Sequence, residues 1–377
     1  MQTSPVLNEA ARILQQVQAG TPADAALREN LARTRHVSAP ARRREVSHAV
    51  FTYFRWWRWL SPRDSLQTQV AAALALQQRF DQSPASVKPE ALAARAVPDW
   101  LATEMDAVPA AWLQQLQRPP ALWIRPQQAE ATAVATALRE CEPAAPLSGT
   151  TLAALRYTGT RDLFLTQQFQ NGQFEIQDLA SQLVGHACAP QPGEIWWDTC
   201  AGEGGKTMHL SDLMQNKGKI WASDRSLRRL DQLKKRAARA KAFNYRSAPW
   251  EGGEKLPTKT KFDGVLVDAP CSGIGTWQRN PHARWTTQPT DVHELAAVQQ
   301  RLLQHVAPSV KSGGRLIYAV CTLARAETTA VAEAFSTAHP EFAPLPLTSL
   351  GSEKSSLMLW PHELNANGMF IAAWRRR

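Results

Sequence analysis

EIWWDTCAGEGGKT, residues 194–207, decides the fold: an apolar run ends in a glycine-rich turn, and the helical stretch TMHLSDLMQN (207–216) follows. The missing side chains at Gly202, Gly204 and Gly205 let a ligand approach the backbone and let the chain turn from strand into helix. Two phosphate-binding patterns do not fit. GxxxxGK[ST] requires glycine at 200, where Cys200 stands, and GxGxxG fails at Thr207.

Downstream, strand and helix patterns alternate. KIWASD (219–224) is a strand, 226–241 a basic helix, FNYRS (243–247) a further short segment, and FDGVLVDAP (262–270) a strand. VHELAAVQQRLLQHVAPSV (292–310) is a helix and GGRLIYAVCT (313–322) a strand. This alternation predicts a doubly wound, mainly parallel α/β sheet with ligands at the carboxyl ends of its strands. Asn-Gly between two apolar runs makes LMLWPHELNANGMFIAAWRRR (357–377) a closing hairpin. Asp224 ends the strand after the glycine turn, where a carboxylate can accept the hydroxyls of a ribose; a strand-end aspartate also caps helices. Together these features fit an adenosyl ligand, without separating a nicotinamide cofactor from S-adenosylmethionine.

Upstream, residues 5–82 read as helices, with stretches at 6–20 (ending at a glycine), 43–60 and 64–80, and DQSPASVKPE (81–90) reads as a linker. Residues 91–175 read as a small α/β lead-in. Within it PPALWIRPQ (119–127) is a short strand, placed at a sheet edge by its flanking prolines, and AEATAVATALREC (129–141) is a helix. FTYFRWWRWL (51–60) has apolar residues at helical spacing and reads as core rather than as base-stacking platforms.

The chain has 377 residues and a formal charge of +10, with basic clusters at 42–44, 225–239 and 375–377. Such an excess favours a polyanionic partner, and nucleic acid leads. Five cysteines include no CxxC pair, and their odd number argues against a complete disulfide framework; a reducing cytoplasm with free thiols is expected, and no metal. The start, MQTSPVLNEA, has no leader pattern, and no apolar run is long enough to cross a membrane.

Two cysteines carry the chemistry. Cys271 stands in VLVDAPCSG (265–273) and Cys321 in RLIYAVCTL (315–323), each at the end of an apolar strand. A thiolate adds to C6 of a pyrimidine and makes C5 nucleophilic; a second thiol points to a separate step. Pro270 lacks an amide hydrogen and ends the ladder beside Cys271. Asp268 can hold a proton at the ring nitrogen of cytosine.

In these residues the chain resembles the Nol1/Nop2/Sun family of RNA 5-methylcytosine methyltransferases, in particular the bacterial ribosomal RNA enzymes with a helical NusB-like leader. DTCAGEGGKT is similar to the family's DxCAxPGGKT, DAPCSGIGTWQRNPHARW (268–285) to DAPCSGxGxxRRxPxxxW, VQQRLL to QxxLL, and GGRLIYAVCTLARAE to GGxLVYxTCTxxxxE. NGQFEIQDLASQLV (171–184) resembles the stretch before the cofactor loop, and HAVFTYFRWWRWL, loosely, the end of the leader.

The resemblance implies a Rossmann-like class I methyltransferase domain with a mainly parallel seven-stranded sheet at 176–377. It also implies a small α/β lead-in at 91–175 and a helical NusB-like module at 1–85. The implied cofactor is S-adenosylmethionine and the implied partner RNA, foremost ribosomal RNA, met by a monomer. Cys321 matches the nucleophile, Cys271 the cysteine that helps release the product, Asp268 the acid between base and cofactor, and Lys206 a lysine reaching the active site. Cys200, Ala201, Gly202, Glu203, Gly204, Gly205 and Lys206 match the loop around the cofactor's methionine part, with Asp224 on its ribose.

Three positions depart from the pattern. Glu203 replaces a proline, SAPWEGG (247–253) lacks an adenine-side aspartate and offers Trp250 for stacking, and the acidic and asparagine run after the nucleophile is reduced to Glu327. A transfer RNA methyltransferase of the same chemistry, or an RNA-binding assembly factor with a decayed cofactor site, are the rival readings.

Overall fold

The computed structural model describes residues 4–33, 39–127, 130–147 and 152–377. The first three residues of the start and Ala129 of the helical stretch over 129–141 lie outside them. The chain separates into two compact units, Met1–Pro120 with Thr276–Pro289, and Ala121–Gly275 with Thr290–Arg377.

The first unit is helical. Pro5–Gln18, Ala23–Arg33, Pro40–Trp56 and Leu66–Gln82 are its long helices, and proline opens two of them, where a missing amide hydrogen costs nothing. Their core holds Ile13, Leu14, Leu27, Val46, Val50, Tyr53, Phe54 and Val70. The aromatic stretch packs as its spacing predicts: Tyr53, Phe54 and Trp56 are buried, each burial stabilising by about 1.5–3 kcal/mol. Trp56 donates its indole hydrogen to Gln77 at 3.0 Å. The segment read as a linker is ordered, with a 3-10 turn at Pro84–Ser86, a buried Val87, and a helix opening at Pro89. Residues 91–120 continue as short helices in this unit.

Residues 276–289, the second half of the DAPCSG stretch, also belong to this unit. Arg284 is fully buried and donates to the carbonyls of Ala96 and Leu116, each at 2.9 Å. Burial, then the charge of Arg55, lowers its guanidinium to about 9. Trp285 donates to the Phe54 carbonyl at 2.7 Å.

The second unit carries two sheets. The small antiparallel one contains β1 (Leu122–Pro126), β2 (Cys141–Pro143), β3 (Leu155–Tyr157) and β4 (Phe174–Ile176), in the order β2-β3-β1-β4. β1 is therefore an interior strand, against the edge position read from its prolines. Pro119 and Pro120 precede it and Pro126 is its last residue, so no proline interrupts the ladder.

The large sheet comprises β5 (Ile195–Asp198), β6 (Lys219–Asp224), β7 (Tyr245–Pro249), β8 (Phe262–Asp268), β9 (Val310–Val320), β10 (Phe342–Pro344), β11 (Ser356–Leu359) and β12 (Met369–Arg376). Its order is β10-β12-β9-β8-β5-β6-β7, with β11 paired to β12. β7, β6, β5, β8 and β9 are mutually parallel, while the β12 pairings are antiparallel. This is the mainly parallel α/β fold that the alternation predicts. The Asn-Gly pair does not form a tight turn, because a short helix, Pro361–Leu364, intervenes and Gly368 directly precedes β12. Strand order reverses at β5, which lies between β6 and β8, so the carboxyl ends of β5 and β8 open a topological switch point.

Candidate active site

The switch point is lined by the loop after β5. Gly202 (φ 55°) and Gly204 (φ 85°) both take the left-handed conformation that glycine adopts without strain. A Cβ at Gly204 would lie 2.6 Å from Leu233 Cγ, so that position needs glycine for space as well. The helix Gly205–Leu213 starts immediately behind. Ala201 is a packing residue, buried with Met208, Leu230 and Leu233. Cys200 is partly buried and packs against the core, and burial pushes its thiol up to about 12. Glu203 is exposed, its carboxylate 4.0 Å from Arg236.

Asp224 accepts from the Gly202 amide at 2.9 Å and from the Ser226 amide at 2.8 Å, so it ties the glycine loop to the start of the helix Leu227–Arg239. A carboxylate has about four lone-pair positions, of which two are taken by these amides, and Arg229 Nη1 stands 3.8 Å from Oδ2. Trp250 does not offer a stacking face: it is buried against Trp197, with ring centroids 5.0 Å apart, and donates to the Gly253 carbonyl. Its neighbours on β5 and β8 are aromatic and aliphatic, so the indole gains more by burial than by exposure.

Across the switch point Lys206 donates to Asp268 at 2.7 Å. Burial alone would lower the Lys206 ammonium, but the charge and hydrogen bond of Asp268, with Cys321 and Asp198, raise it. Beside this pair, the sulfurs of Cys271 and Cys321 lie 3.3 Å apart. The two loops are also joined through their backbones, the Gly275 amide donating to the Cys321 carbonyl at 3.1 Å. The hydrogen bond from the neighbouring sulfur, then burial and the charges of Cys321 and Glu327, push the Cys271 thiol well up.

Three contributors to the site were not assigned a place in it from sequence. Asp198, at the end of β5, is fully buried, and burial pushes its carboxyl up to about 7; Oδ2 accepts from Thr207 while Oδ1 has no partner. The sign was a carboxylate directly after Ile-Trp-Trp. Glu327 and Gln299 form a buried polar hub behind the cysteines; in sequence they stand out only as the last residue of GGRLIYAVCTLARAE and the first glutamine of VQQRLL, with no role attached. Among the described residues no group of acidic, histidine and cysteine side chains could hold a metal ion, and no helix is long and apolar enough to cross a membrane.

A doubly wound sheet with an adenosyl-type glycine loop at its switch point, and paired thiols beside it, defines a Rossmann-like methyltransferase fold. Residues 186–375, half of the chain, match the family described as 16S rRNA methyltransferase RsmB/F, and the chain belongs to that family. A probable ribosomal RNA small subunit methyltransferase B of Bacillus subtilis (strain 168) is 37% identical over 227 residues, 56% of this chain and 50% of the relative. Its counterpart in Synechocystis sp. is 39% identical over 216 residues, covering 54% and 48%. The chain spans about half the length of these curated relatives.

Among solved structures, PH0851 superposes with a TM-score of 0.80 at 23% identity, covering 98% of both chains. NSun6 from Pyrococcus horikoshii, solved with SFG, gives a TM-score of 0.62 at 18% identity over 71% of this chain and 93% of that one. At these identities the likeness is one of fold.

Proposed function

We propose that this protein methylates C5 of a cytosine in RNA, foremost ribosomal RNA, with S-adenosylmethionine as donor. The observation that carries the reading is the 3.3 Å approach of two sulfurs beside the Lys206–Asp268 pair, at the carboxyl ends of β8 and β9. The names of the B-type relatives support a ribosomal substrate.

S-adenosylmethionine, when bound, supplies an electrophilic methyl group. The left-handed glycines allow its methionine part to approach the backbone from Cys200 to Lys206, and the open lone pairs of Asp224 suit its ribose hydroxyls. Cys321 adds to C6 of a base taken out of its stack. Asp268, paired with Lys206, holds a proton at the ring nitrogen and so offsets the negative charge that thiolate addition develops on the ring. After C5 has taken the methyl group, a base removes the C5 proton, that C–H electron pair restores the C5–C6 double bond, and Cys321 leaves C6 as a thiolate, the Cys271 thiol assisting release. The adjacent sulfurs support this division of labour, because one flipped ring can meet both.

Bisulfite sequencing of total RNA tests the reading. A strain lacking the protein should lose one or more methylated cytosines in ribosomal RNA; loss confined to transfer RNA would move the substrate, and an unchanged map would contradict the enzyme.

A further inference from the structure

Glu327 is fully buried, and its side chain serves both cysteine loops. Oε1 accepts from the Ser272 amide at 2.9 Å and from the Gln299 amide nitrogen at 2.9 Å. Oε2 accepts from the Ser272 hydroxyl and, at 3.1 Å, from the Thr322 hydroxyl. Ser272 follows Cys271 and Thr322 follows Cys321, so one carboxylate holds the residue after each sulfur-bearing residue. Its oxygens meet two N–H donors and two hydroxyls, and the hydroxyls of Ser272 and Thr322 also lie 2.8 Å apart; burial raises the Glu327 carboxyl, and these hydrogen bonds offset part of that rise. The hub extends backwards: Gln299 also donates to the Pro270 carbonyl at 2.9 Å, and Tyr318 donates to Gln299 at 2.9 Å and to the Glu327 carbonyl at 2.6 Å.

The charges around the two sulfurs are unequal. Glu327 acts on Cys271, where a second negative charge is disfavoured, and Cys321 lies close enough to Lys206 to help raise its ammonium. Tyr318 also senses Cys271, and Lys206 is paired with Asp268.

We propose that Glu327 is a positioning residue for the sulfur pair: its carboxylate, bonded to Ser272 and Thr322, clamps the two cysteine loops together and sets which of the two sulfurs reacts. This rests on the methylation reading for its purpose, but its test does not, since thiol reactivity is measured without RNA. Glu327→Gln keeps the volume and removes the charge, while Glu327→Asp keeps the charge and shortens the reach.

The full-length protein is treated with iodoacetamide across neutral to alkaline pH, and labelling of Cys271 and Cys321 is followed by peptide mass spectrometry. In the wild type Cys321 should label roughly tenfold faster than Cys271 near neutral pH, because only the thiolate reacts. In Glu327→Gln the Cys271 profile should move to lower pH and the preference should shrink several-fold, whereas Glu327→Asp should keep the wild-type order. A wild type that labels both equally or Cys271 first overturns the proposal, even if no variant folds. An unchanged ratio in a folded Glu327→Gln overturns it too. Altered labelling in a protein that methylates no RNA would leave the clamp standing and remove the methylation reading; intact methylation with unaltered labelling would do the reverse.

Discussion

Asp198 shows what one side chain at a strand end can impose. The buried carboxyl is pushed up to about 7 from an ordinary 3.8, so the folded chain keeps a proton that the unfolded chain releases. Its contribution to stability is complete below the unfolded value and is lost as pH rises through the folded one. Over that window stability should fall by at most about 1.4 kcal/mol per pH unit, and Asp198→Asn should flatten the slope. Urea unfolding between roughly pH 4 and pH 7 measures this, and parallel curves for both proteins would contradict it. Both cysteines, Asp268 and the glycine loop were legible in sequence because their chemistry is local. Trp250 was not: whether an indole meets a ligand or a core depends on Trp197 and Phe262, which sequence distance hides.

At the scale of elements, the helix Leu227–Arg239 shows how a basic run divides its labour. Arg236 donates to Glu175 of β4 at 3.0 Å, and Arg239 donates to the same carboxylate, which is almost fully buried. These charges fasten the helix that follows Asp224 to the small sheet, while Arg228 and Lys235 are exposed. Glu175→Gln should cost about 1–3 kcal/mol, read as a lower urea midpoint; an unchanged midpoint would mean the arginines find equal partners in water. Periodicity revealed the helix and most strands of the large sheet. It did not reveal that β1 is interior, because prolines at strand ends and prolines at sheet edges look alike in sequence.

For the molecule as a whole, the +10 charge bears on association rather than on fold. If the outward residues of the basic helix track phosphates, RNA affinity should fall steeply with salt. Replacing Arg228 and Lys235 by alanine should then lower the log–log slope by roughly one for each phosphate that is no longer neutralised. Affinity insensitive to salt would place those side chains away from RNA. The division into units was less legible than the strands. Residues 276–289 run on in sequence from Cys271 within one motif, yet Arg284 and Trp285 pack into the helical unit, a tertiary choice that no local pattern announces.

The central claim is that Cys321 attacks the base and Cys271 releases it. Incubating each alanine variant with RNA and S-adenosylmethionine, then resolving the products on a denaturing gel, tests it most directly. Cys271→Ala should accumulate a covalent protein–RNA species, and Cys321→Ala should form none and methylate nothing. An adduct in Cys321→Ala, or mild and equal losses in both, would contradict the account.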